Sequence, residues 1–146
     1  MRQGLHFPIM TVAAALCMAA SAALAHTQNG SLGDTPHATD YYQVTCSDDG
    51  TGTPQSLVVQ VTNRSTVATS VLAHRAADAV NSTDANGADA APSPLVFVNG
   101  GDGVYNVFVT KAGSGAVNYT LLYHCMTEAN GGGQHAGTTL VFRQNQ

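Results

Sequence analysis

Short runs of alternating apolar and polar residues, separated by glycine, asparagine, aspartate or proline, fill the chain from residue 41 to residue 143. A period of two puts successive side chains on opposite faces of an extended strand, so a chain patterned this way is built to form sheets. The clearest run is Val117–Met126, where Val117, Tyr119, Leu121, Tyr123 and Cys125 share one face. Tyr41–Cys46 aligns Tyr42, Val44 and Cys46, and Val104–Thr110 aligns Tyr105, Val107 and Val109. Leu57–Thr62, Val67–Ala73, Leu95–Val98 and Leu140–Arg143 read as four further strands. About seven short strands with turn signals between them predict an all-β antiparallel sandwich, Ig-like or jelly-roll-like. Asn99-Gly-Gly-Asp-Gly103 reads as a hairpin connection. Residues 76–94 read as a long loop, with one helical turn near Ala76–Val80.

The cysteines support the same architecture. Cys46 and Cys125 each fall on the apolar face of their own run, so a sandwich would bring both sulfurs into the core. They are predicted to form one disulfide. An oxidising compartment is expected as well, because the first 25 residues have the form of a secretory signal peptide. Arg2 supplies the positive start, residues 9–20 the apolar run, and Ala23 and Ala25 the small residues before a cut. Cleavage after Ala25 would leave 121 residues beginning at His26, and the Ala-rich leader reads as bacterial. The expected organisation is a signal peptide over 1–25, a flexible extended arm over 26–40, and one sandwich domain over 41–146. The protein is expected to be exported to the periplasm, the cell surface or the medium, with no membrane span.

Charge narrows the set of partners. Beyond the leader, Arg64, Arg75, Lys111 and Arg143 stand against eight aspartates and Glu128, a net charge of −5 with histidines neutral. Four scattered cations give nucleic acid or an anionic membrane no patch to bind. Catalytic motifs are missing too. There is no G-x-S-x-G elbow, no phosphate-binding loop and no free thiol nucleophile, and Glu128 is the sole glutamate. No enzymatic activity is expected. Asp84-Ala-Asn-Gly-Ala-Asp89 has the look of a calcium loop but lacks alternating ligands and a closing bidentate acid.

Beyond the leader, the histidines His26, His37, His74, His124 and His135 offer metal chemistry. A mature N-terminal His26 would present an α-amine and an imidazole together, a chelating pair suited to copper. A second imidazole would have to come from His37, His124 or His135. His124 and Met126 lie on the strand face opposite Cys125, where a soft metal could reach both.

Gly103-Val-Tyr-Asn-Val-Phe-Val109, the Gly113-Ser-Gly115 turn and Tyr119-Thr-Leu121 together resemble the closing hairpin of bacterial pre-peptidase C-terminal domains. That resemblance implies a secreted, non-catalytic β-sandwich module that binds or anchors. Three functions are therefore expected of the chain. The foremost is a structural or adhesive subunit that adds its arm, with His26, Leu32 and Tyr41, to the sheet of a second copy or of another cell-surface protein, building filaments. The second is a periplasmic copper-binding protein centred on His26. The third is a monomeric accessory module that binds carbohydrate or protein.

Overall fold

A computed structural model describes residues 26–146. The signal peptide read over residues 1–25 lies outside the described residues. Nine strands form two antiparallel sheets, two strands more than the alternation gave. They are β1 (Thr27–Leu32), β2 (Thr39–Ser47), β3 (Ser56–Asn63), β4 (Thr69–Arg75), β5 (Asp78–Asp84), β6 (Val96–Asn99), β7 (Gly103–Lys111), β8 (Val117–Met126) and β9 (Gly137–Gln144). One sheet has the order β1-β8-β3-β6, the other β5-β4-β7-β2-β9. Among the described residues no helix is long and apolar enough to cross a membrane.

The core is the set of inward faces that the alternation marks. Tyr42, Val44 and Cys46 of β2 and Tyr105, Val107 and Val109 of β7 pack from one sheet. Leu57, Val59 and Val61 of β3 and Val117, Leu121 and Cys125 of β8 meet them from the other. Cys46 and Cys125 are bonded, with Cα atoms 5.4 Å apart, and tie β2 to β8 across the sandwich. A polar chain is embedded beside them. Tyr119 Oη donates to the fully buried Asp40 Oδ2 at 2.5 Å, Tyr42 Oη lies 2.5 Å from Tyr119 Oη, and the Gln146 N–H donates to Asp40 Oδ1 at 2.9 Å. Gly30, the cross-strand partner of Tyr119, leaves room for that ring. A Cβ there would come within 2.3 Å of it.

Three local expectations change. The first half of the 26–40 arm is not free: Thr27–Leu32 pairs along β8 from Leu122 to Val117. Leu32, its one large apolar side chain, is buried in the core and anchors the strand. Residues 78–84 are not loop or helix but β5, joined to β4 by a two-residue turn at Ala76–Ala77. Ala76 takes a positive φ of 51° without a glycine to signal it. The Asn99–Gly103 connection is not a hairpin, because β6 pairs with β3 while β7 pairs with β2 and β4. The Ala112–Gly115 turn likewise carries the chain from β7 in one sheet to β8 in the other.

Candidate metal centre

The β1–β8 ladder continues one residue beyond β1, where the Tyr123 N–H donates to the His26 carbonyl at 3.0 Å. This pairing sets His26 beside the end of β8, with its backbone nitrogen 3.4 Å from His124 Nδ1. His135 arrives from the other side. An isolated antiparallel bridge pairs it with Met126, flanked by Thr127 N–H to Gln134 O at 2.9 Å and Ala136 N–H to Cys125 O at 2.8 Å. Three imidazoles therefore converge at one end of the four-stranded sheet. Ring centroids are 5.9 Å apart for His26 and His124, and 4.4 Å for His124 and His135. One nitrogen of each ring lies within 4.8 Å of one of each other ring.

Two features suit this cluster to a cation. His26 Nδ1 is buried and, among the described residues, has no hydrogen-bond partner. Buried polar atoms are nearly always paired, so an orphaned ring nitrogen inside a cluster of nitrogens suits a ligand. His124 is also held neutral. Burial first, then the adjacent His135 and His26, pushes it down to about 4, so the ring is neutral at pH 7, with Nδ1 accepting the His26 backbone N–H at 3.4 Å. Neutral imidazoles with no carboxylate among them suit copper and zinc, and copper binds such nitrogen sets more tightly. The disulfide fixes the residue next to His124, and the Cys125 N–H donates to Thr138 Oγ1 at 3.0 Å, holding the start of β9 against β8.

Of the four histidines read as metal candidates, His26, His124 and His135 meet and His37 does not. His37 sits at φ 62° in the exposed turn after β1. A six-residue strand of about 20 Å separates it from His26. The residues read as an assembly arm also part company. Leu32 is buried, and Tyr41 stacks on Phe108 with centroids 4.7 Å apart on the outer face of the five-stranded sheet. The aspartates of the calcium-like segment are occupied: Asp84 accepts from the Asn63 and Asn86 N–H groups, and Asp89 from the Ala91 N–H. Tyr123, read only as a core residue, belongs beside the centre. Its ring lies 5.8 Å from that of His26, and burial raises its phenol above the ordinary value.

No protein-family model matches this chain, and neither a curated protein nor a solved structure matches it.

Proposed function

We propose that the protein is exported, cut after Ala25, and binds one copper ion through the α-amine and Nδ1 of His26 and the imidazoles of His124 and His135. The observation that carries this reading is the unpartnered, buried His26 Nδ1 inside a cluster of three imidazoles. Cleavage matters chemically. While Ala25 is attached, the His26 nitrogen is a planar amide whose lone pair is delocalised into the carbonyl. Once cut, it becomes an amine placed 3.4 Å from His124 Nδ1. The role this supports is copper binding outside the cytosol, with no catalytic step assigned to the chain.

The test compares the processed protein with a variant carrying one glycine inserted before His26. Copper(II) affinity is measured by competition with a chelator of known strength. The processed protein is expected to bind one equivalent, and the insertion to weaken binding at least a hundredfold. Equal affinities would overturn the reading.

Self-assembly rests on a different observation. The arm is paired in its own domain, but β9 is an edge strand with Val141 and Phe142 exposed. A monomeric mass by light scattering at high concentration would remove that second reading.

A further inference from the structure

The open side of the sandwich, between edge strands β1 and β9, holds a cleft of about 390 Å³ that is separate from the imidazole cluster. Gln28 and Asn29 of β1 and Asn118 of β8 line one wall, Phe142 and Asn145 the other, and Tyr42 lies at its base. We propose that this cleft is a binding site for a neutral saccharide.

The lining is the first argument. Its polar lining comes from four carboxamide residues and Ser31, with Gln28 on the inner face of β1 and Asn29, Ser31 and Asn118 on the outer face beside the sheet edge, and no charged residue contributes. A ligand with phosphate or carboxylate groups would lose hydration there with no opposite charge in return. Each carboxamide offers both a donor and an acceptor arm, a match for the paired donor and acceptor of neighbouring sugar hydroxyls. The amides are also partly unspent. Gln28 Nε2 donates to Asn29 O at 2.6 Å, and Asn29 Oδ1 accepts from Thr120 Oγ1 at 2.9 Å. The Asn29 amino group and the exposed side chains of Asn118 and Asn145 stay available.

Phe142 is the second argument. Its side chain is 47% exposed, a poor arrangement for a ring that serves only packing. It is held by stacking on Tyr42, with centroids 4.9 Å apart and planes at 29°. One face of the ring is thus spent on the protein and the other is left for a ligand. The apolar C–H face of a pyranose fits an aromatic face while its hydroxyls turn to the amides. The base of the cleft is rigid, because Tyr42 is tied through Tyr119 to the buried Asp40. Largely pre-formed clefts of a few hundred Å³ are the usual form of small-ligand sites.

The test runs the processed protein through native gels cast with neutral polysaccharides (xylan, mannan, mixed-linkage β-glucan) or with anionic alginate. The best neutral probe is then titrated as a soluble oligosaccharide by NMR. Retardation by at least one neutral glycan is expected, with shifts at Phe142 and at the Asn118 and Asn145 side-chain amides. Phe142→Ala is expected to weaken binding at least tenfold while leaving copper affinity in place. An Asn118→Ala/Asn145→Ala variant answers the same question if Phe142→Ala fails to fold. No retardation by any neutral glycan, retardation by alginate alone, shifts confined to another face, or unchanged binding in both variants would overturn the proposal.

Discussion

The buried chain Tyr42–Tyr119–Asp40 makes an asymmetric prediction. Asp40 accepts the single Tyr119 hydroxyl hydrogen, so Tyr42 must donate to the Tyr119 oxygen. Tyr119→Phe removes both bonds at once. It deprives a fully buried carboxylate of one of two donors, a hydrogen bond to a charged group worth roughly 1.5–3 kcal/mol, and strands the Tyr42 hydroxyl for about 1 kcal/mol more. Tyr42→Phe removes only the outer, neutral bond and should cost about 1 kcal/mol. With about 4 °C of midpoint per kcal/mol for a domain of this size, the expected losses are about 12 °C and about 4 °C. Urea unfolding followed by far-ultraviolet circular dichroism measures the difference without tyrosine fluorescence, which the substitutions themselves would change. Equal losses for the two variants would refute the direction assigned to the chain. So would a Tyr119→Phe loss that stays just as large in an Asp40→Asn background.

Four further outcomes are expected. Replacing Cys46 and Cys125 by serine removes a cross-link over a separation of 79 residues and should cost about 4–5 kcal/mol in denaturant. The same variant should weaken copper binding, because residue 125 fixes the strand end beside His124. His124→Ala or His135→Ala should lower copper(II) affinity at least tenfold in chelator competition, while His37→Ala should leave it unchanged. In metal-free protein, unfolded His124 takes up its proton at the ordinary histidine value of 6.5 but the folded form waits until about 4. The unfolded state therefore binds more protons in that window, and stability should fall as pH drops through it. A thermal-midpoint series across these pH values in His124→Gln should be flatter than in the parent.

The central strands were legible because they are apolar on one face. Tyr42, Val44, Tyr105, Val107, Leu121 and Cys125 all lie in the core where alternation placed them, and the cysteine pair followed from the same rule. Edge strands were not. β1 buries little beyond Leu32, and β5 alternates Ser82 and Asp84 inward, a polar pattern that reads as loop. Turn residues showed where the chain reverses but not whether the next strand pairs beside the last one. That is why Asn99–Gly103 looked like a hairpin while joining two different sheets. Of the site, the residue types were legible and their grouping was not. His124 and His135 are near in sequence, but His26 reaches them only through the register of β1 on β8.

The bond between Cys46 and Cys125 also bears on how the molecule answers a pull applied at residues 26 and 146. Force applied at His26 and Gln146 passes directly from β2 to β8 through sulfur, so everything between residues 46 and 125 carries no load. Only the segments 26–46 and 125–146 can pay out. At about 3.4 Å per residue they release roughly 140 Å of contour, against roughly 410 Å for the reduced chain. Strands β3 to β7, most of the sandwich, would be mechanically silent however hard an oxidised molecule is drawn between two anchors.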